Sequence, residues 1–219
     1  MSHALFTQLM ATTTGLLLAT AILQVWRHSL SASMRLLAVQ GAALGLLVIV
    51  LGVEAGEPEL LLVGVLVLAL KAVVIPWALI RTARATGAVR EQAPLVNPTA
   101  GLLIATALSL LAFLVGLPIA EVAEGPAATS VPVGIALVLI GFLVMMTRRS
   151  ALSQLTGFVI LDNGIATTAF LTSGGVPLVV ELGVMLDVLL VVLILRVLTS
   201  RLQFALGGID LDDLTELRD

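Results

Sequence analysis

The chain has 219 residues, of which 59% are hydrophobic and 11% are charged, and its formal net charge is −3. In a soluble domain about a quarter of the residues are charged and cover its surface. This composition therefore excludes a soluble domain and indicates a protein that lies in a lipid bilayer. The sequence contains no cysteine, which excludes disulfides, thiolate metal sites and iron–sulfur ligation within this chain.

The hydrophobic pattern predicts an all-α, polytopic membrane protein with seven spans of roughly 16–23 residues, the length that crosses about 30 Å of hydrocarbon. In chain order the spans are predicted at 4–26, 33–53, 60–80, 97–120, 131–146, 154–171 and 177–198. No lysine or arginine precedes the first span, so we expect a retained helix rather than a cleaved signal peptide.

The distribution of charge predicts the topology. Apart from Lys71, every basic residue lies in or next to a loop that follows an odd-numbered span, or in or next to the C-terminal tail. The loops that follow even-numbered spans carry glutamates and no base. The positive-inside rule then places the N-terminus outside and the C-terminus in the cytoplasm, as in a multi-pass protein of the cytoplasmic (inner) membrane.

Spans one to three and five to seven share orientation, and the third and seventh each carry one central charge. We therefore expect a 3+1+3 parallel repeat, the alternative being chance similarity of hydrophobic helices. Its units are an N-terminal three-helix unit (1–96), a linking fourth helix with an outer loop (97–130) and a C-terminal three-helix unit (131–206). The acidic tail (207–219) either docks on a cytoplasmic partner or is solvated.

Three ionisable residues lie near the middle of predicted spans, namely Lys71 in the third, Asp162 in the sixth and Asp187 in the seventh. A charge at that depth costs roughly 2.5–3.5 kcal/mol on insertion scales. Burial and a neighbouring carboxylate change the proton affinity of a lysine in opposite senses, so Lys71 suits charge or proton movement. The alternative is a static salt bridge that locks helices together.

Two features of the N-terminal half concern packing around Lys71. Pro76 removes the backbone donor for the carbonyl of Ala72, so we expect a helix kink or a bound water there. Gln40 is expected to hydrogen-bond between helices, and the GxxxG pattern at 41–45 predicts a close helix approach.

In the C-terminal half, Asn163 and Thr167 follow Asp162 and supply amide and hydroxyl groups that could hold water. Glu181 lies about 9 Å nearer the outer surface than Asp187 by helical rise. It is either an outer gate or an interfacial acid.

We predict no catalytic residue, metal or cofactor in this chain. His3 and His28 have no spaced ligand partners, and the sequence has no phosphate-binding glycine loop, nucleophile constellation or zinc spacing. Nucleic acid is not an expected partner.

Four short motifs occur in order along the chain: KAVVIP at 71–76, LDNG at 161–164, VELG at 180–183 followed by Asp187, and LDDLTEL ending at Leu217. Through them the whole chain resembles hydrogenase-4 component E, a membrane subunit of complex-I-like hydrogenase and formate hydrogenlyase assemblies. The resemblance implies a non-catalytic subunit of an oxidoreductase complex, with antiporter-like and quinone-site-like subunits as partners.

From about Val133 the chain also resembles the small K-type subunit of complex I and its counterpart in Mrp-type antiporters. That family carries one glutamate in its second helix and one in its third. Asp187 matches the third-helix position, whereas Val159 stands at the second-helix position and Asp162 follows almost one turn later. A shift of about 4.5 Å either preserves a relay through water or marks an altered path.

These observations favour a subunit that contributes a midplane relay, formed by Lys71, Asp162, Asp187 and Glu181, to proton or sodium translocation driven by redox chemistry in partner subunits. One alternative is a structural spacer that joins the membrane arm without conducting ions. Another is a stand-alone transporter of a small solute, against which the short outer loops argue.

Overall fold

The computed structural model describes residues 2–27, 29–85, 95–122 and 127–173. All secondary structure in these ranges is helical, and six of their helices are long and apolar enough to cross a membrane. The elements in chain order are α1 (His3–Trp26), α2 (Leu30–Ala55), α3 (Pro58–Leu68), a π-helical segment (Ala69–Val74), α4 (Ile75–Ala85), α5 (Pro98–Val122), a 3₁₀ turn (Ala128–Ser130), α6 (Val131–Thr147) and α7 (Ala151–Ser173). The third membrane-length helix, Pro58–Arg84, consists of α3, the π segment and α4.

The first six predicted spans are confirmed as helices, but the third continues past its predicted end at residue 80. Its last turns carry Arg81 and Arg84, which hydropathy excludes from a span although they are good helix formers. The guanidinium of Arg81 lies 5.4 Å from the centroid of the Trp77 ring, a cation–π contact. The predicted seventh span, with Glu181 and Asp187, lies outside the described residues, so the count of seven, the orientation and the repeat stay predictions.

Only Gly56 and Glu57 separate the end of α2 from the beginning of α3. Gly56 adopts φ 70°, the left-handed conformation that glycine reaches without a Cβ clash, and the Glu57 N–H donates to the carbonyl of Gly52 at 3.1 Å. Pro58 then occupies the first turn of α3.

Glycines bring the helices of two antiparallel pairs into close contact. A Cβ on Gly45 of α2 would lie 2.6 Å from the Cβ of Leu68, at the end of α3. A Cβ on Gly141 of α6 would lie 2.7 Å from the Cβ of Leu161 on α7. The close approach predicted from the GxxxG pattern is therefore present, and it joins α2 to the third membrane-length helix.

The helices α1, α2, α6 and α7 form the centre of the described bundle. The helix α1 packs against α2, α5 and α6, while α2 packs against α7. Most of α7 is buried, whereas most of α5 is exposed, so α5 forms an outer wall of the part of the bundle that the structure describes. Polar side chains of α1, α2 and α7 thus project into a region remote from the bundle surface.

Candidate functional site: a buried lysine–aspartate pair

Lys71 lies on the π-helical segment that interrupts the third membrane-length helix. The Ile75 N–H donates to the carbonyl of Leu70, five residues back, and Pro76 has no N–H to donate. Such wide turns are rare in helices, but those that occur are often found at functional sites. Lys71 projects from this π segment, which ends two residues before Pro76. The kink expected at Pro76 stays a prediction.

A glycine of α2 admits the Lys71 backbone to the centre of the bundle. A Cβ on Gly41 would overlap the carbonyl oxygen of Lys71. Any other residue at position 41 would therefore displace the π segment.

The ammonium of Lys71 pairs with Asp162 of α7. Lys71 Nζ lies 2.6 Å from Asp162 Oδ2, and both side chains are almost completely buried, at 0% and 1% exposure. Lys71 is the middle residue of Pro58–Arg84 and Asp162 that of Ala151–Ser173. The pair thus lies at mid-depth, where solvation by bulk water is least available.

Two amide side chains extend this pair across the bundle. Lys71 Nζ donates to Asn163 Oδ1 at 3.0 Å, and Asn163 Nδ2 donates to Gln40 Oε1 at 3.0 Å. Gln40 Nε2 in turn donates to the carbonyl of Leu17 at 3.3 Å. The buried network therefore links α1, α2, the π segment and α7, and the interhelical role expected for Gln40 is confirmed.

One atom of the network is left without a hydrogen bond. Asp162 Oδ1 is buried and has no hydrogen-bond partner among the described residues. An ionised carboxylate has acceptor capacity on both oxygens, so an unused oxygen in the interior is a place for a water molecule or a proton.

Arg148, at the end of α6, forms a second buried polar contact. Its Nη2 donates to the carbonyls of Gln24 at 2.8 Å, Val25 at 3.4 Å and Arg27 at 2.7 Å. These carbonyls close α1, where the helix dipole favours a cation. Sequence reasoning assigned Arg148 only to a basic loop and missed this inward role, because loop charge alone does not indicate which arginine turns inward.

The structure brings together some predicted site residues and leaves others outside the described ranges. Lys71, Asp162 and Asn163 meet, whereas Asp187 and Glu181 lie outside the described residues. The Thr167 hydroxyl donates to the carbonyl of Asn163 at 2.6 Å, within its own helix.

The buried Gln24 was missed, although its seven-residue spacing from Leu17 on α1 was a usable signal. In the described ranges no group of three or more histidine, aspartate or glutamate side chains could hold a metal ion.

No family model matches the chain, and no solved structure shows significant similarity to it. Hydrogenase-4 component E of Escherichia coli K12 is 28% identical over 80 residues, which are 36% of this chain and 37% of that protein; the Shigella flexneri protein of the same name matches equally. The chain is also 48% identical over 220 residues to the uncharacterized protein Rv0085 of Mycobacterium tuberculosis, with 100% of each chain covered. At this identity over the whole of both sequences, the chain belongs to the same family as Rv0085.

Proposed function

We propose that this chain is an integral subunit of a complex-I-like, hydrogenase-type redox complex in the cytoplasmic membrane. In it, Lys71 and Asp162 contribute to a midplane relay for proton or sodium translocation. The partial similarity to hydrogenase-4 component E and the six membrane-length helices support the membrane-subunit assignment. Antiporter-like and quinone-site-like subunits are the proposed partners, and their redox chemistry supplies the energy.

The observation that carries the relay is the buried pair itself. Lys71 and Asp162 lie at the midpoints of two membrane-length helices, and Asp162 Oδ1 has no hydrogen-bond partner among the described residues. A carboxylate that only fixed a helix would be expected to use both oxygens, since an unsatisfied buried acceptor costs about 1–3 kcal/mol. The unused oxygen is a position at which a proton can arrive.

Protonation of Asp162 would neutralise the carboxylate that pairs with Lys71 and weaken the contact between them. The lysine side chain is flexible, so the ammonium can then turn toward another carboxylate. We propose Asp187 as that carboxylate, with Glu181 further along the path. A membrane potential of 100 mV acts on each elementary charge moved across the membrane with about 2.3 kcal/mol, enough to bias such a sequence of steps.

A structural spacer is the second candidate, and the same contact favours it. The Lys71–Asp162 pair ties the π segment to α7, and Asn163 and Gln40 strengthen the junction. Under this alternative the pair holds the subunit rigid between its neighbours and its charges never separate.

A double substitution distinguishes the two functions. Lys71→Met with Asp162→Leu replaces the pair by apolar side chains of similar size, so the subunit is expected to fold and to co-purify with its partners. The relay predicts that the assembled complex loses redox-driven ion pumping in membrane vesicles, whereas the spacer predicts that pumping continues. Arg81→Gln, at an exposed position ten residues after Lys71, is the matched control and is expected to pump normally.

Membership of a redox complex is tested separately. The tagged chain is purified from native membranes in mild detergent, and the accompanying subunits are identified by mass spectrometry. Hydrogenase or complex-I-like subunits are the expected result. A chain that purifies alone and moves a solute when reconstituted in liposomes would instead be the stand-alone transporter.

A further inference from the structure

A second set of buried polar side chains lies two helical turns from the Lys71 network. Gln24 follows Leu17 by seven residues on α1, Ser33 precedes Gln40 by seven on α2, and Thr156 precedes Asn163 by seven on α7. Seven residues are close to two full turns, so each lies on the same face as its counterpart, displaced by about 10 Å.

On all three helices, the second residue is displaced from its counterpart toward the same end of the bundle. We call it the basic end, because α1, α4 and α6 end there beside Arg27, Arg84 and Arg148. The contact of Arg148 with the last carbonyls of α1 shows that the ends of α1 and α6 adjoin. Gln24, Ser33 and Thr156, here called the second polar layer, therefore lie between the Lys71 network and the basic end.

Gln24 indicates what this layer contains. Its side chain is 1% exposed, and neither its Nε2 nor its Oε1 has a hydrogen-bond partner among the described residues. An amide sealed from solvent with both polar atoms unused is strongly unfavourable unless ordered water binds them. Ser33, at 7% exposure, adds a hydroxyl group to the same layer. The Thr156 hydroxyl, at 3% exposure, donates to the carbonyl of Leu152 on its own helix, and its oxygen can still accept a hydrogen bond from water.

We propose that the second polar layer encloses water and connects the Lys71–Asp162 pair with the basic end of the bundle. Gln24 Nε2 and Oε1 would bind this water at one end of the path. Asp162 Oδ1, which likewise has no hydrogen-bond partner among the described residues, would receive a proton at the far end. In that step an O–H bond of a hydronium ion breaks and an O–H bond forms at Oδ1, leaving a water molecule behind.

Two apolar side chains lie between the second polar layer and the Lys71–Asp162 pair. Leu37, at 1% exposure, lies between Ser33 and Gln40, and Ile160, at 0%, lies between Thr156 and Asn163. Passage of a proton therefore requires these side chains to move, as in channels where a hydrophobic constriction limits hydration. The second polar layer would hold the proton until these side chains move, so it does not form an open pore. Its role in translocation rests on the proposed function, whereas its hydration does not.

Hydration is tested with single cysteines, since the chain contains none. Gln24→Cys and Thr156→Cys in the full chain, in membrane vesicles, are exposed to Ag⁺, a water-sized ion that reacts with thiols. Val144→Cys is the control, because Val144 is 2% exposed, apolar and one turn before Arg148. The two layer cysteines should react about tenfold faster than Val144→Cys or more, and equal rates would overturn the proposal.

The role in translocation is tested with Gln24→Leu in the assembled complex. We expect slower ion pumping in this variant. The control Thr14→Val, which removes a buried hydroxyl bonded to the carbonyls of Met10 and Ala11 on its own helix, should pump normally. Fast Ag⁺ labelling with unchanged pumping in Gln24→Leu would overturn the access role but leave the water layer in place. Loss of pumping in the Lys71 and Asp162 double variant is scored separately, so failure of the relay and failure of the access path are distinguishable.

Discussion

At the scale of single residues, we expect the Lys71–Asp162 pair to be costly to break and nearly neutral to replace by apolar side chains. Lys71→Met leaves the Asp162 carboxylate, at 1% exposure, without the cation it pairs with. We expect Lys71→Met alone to lower the free energy of unfolding by about 3–5 kcal/mol, and the double variant with Asp162→Leu to recover most of that loss. Thermal unfolding of the purified chain in detergent measures both, and a double variant that loses the sum of the single effects would contradict the expectation.

Arg148 provides a second prediction at this scale, with its neighbour as control. Arg148→Ala removes the donor from three carbonyls at the end of α1, of which those of Gln24 and Arg27 are within 3 Å. Hydrogen bonds to charged groups contribute about 1.5–3 kcal/mol each, so we expect a loss of about 3 kcal/mol. Arg149→Ala, at an exposed position, is expected to leave stability unchanged. Similar melting temperatures for the two variants would mean that α1 is held by its apolar contacts alone.

At the scale of helices, the glycines of α2 set the distance to the third membrane-length helix. At Gly45 a Cβ would lie 2.6 Å from the Cβ and 2.7 Å from the Cα of Leu68, so the helices must separate to admit it. We expect Gly45→Ala to destabilise the chain by about 1–3 kcal/mol, as overpacking does. Thermal unfolding in detergent is again the measurement.

Gly15→Ala is the matched control for this substitution. Nothing lies within 4 Å of a Cβ at Gly15, in the middle of α1. Alanine is favoured over glycine in a helix by about 1 kcal/mol, so this variant is expected to be equally or more stable. Destabilisation by both variants would show that glycine is needed in these helices for a reason other than helix contact.

The helices themselves could be predicted from the sequence, whereas their rotation could not. Runs of apolar residues of membrane length identify the first six helices, and the α3 N-terminus follows from Gly56 and Pro58. The partner of Lys71 could not be chosen between Asp162 and Asp187, because rotation about a helix axis depends on the neighbouring helices. For the same reason Gln24 and Arg148 were not assigned to the interior.

At the scale of the whole molecule, the network joins the two predicted three-helix units. The amides of Gln40 and Asn163, at corresponding depths in α2 and α7, hydrogen-bond to each other at 3.0 Å. The helices α2 and α7, which are the second helices of the two predicted units, pack against each other. The Lys71–Asp162 pair and Arg148 cross the same boundary, so the units are joined at mid-depth and at the basic end.

The orientation of the molecule is a prediction that labelling can test. Glu57, between α2 and α3, and Arg149, between α6 and α7, are exposed and lie at opposite ends of the bundle. The distribution of arginines predicts that a membrane-impermeant maleimide labels Glu57→Cys in intact cells and Arg149→Cys only after permeabilisation. The reverse pattern would place the basic end outside.

The wide turns of the π-helical segment also accommodate one residue more than regular α-helical turns would at the midpoint of the third membrane-length helix. If the wide turn moved along the helix past Lys71, the lysine would swing by about 100° around the helix axis, the angle that separates neighbouring residues. Both ends of the helix could stay anchored during that rotation. A charge at the centre could thereby exchange one neighbour for another while the ends of the subunit remain still.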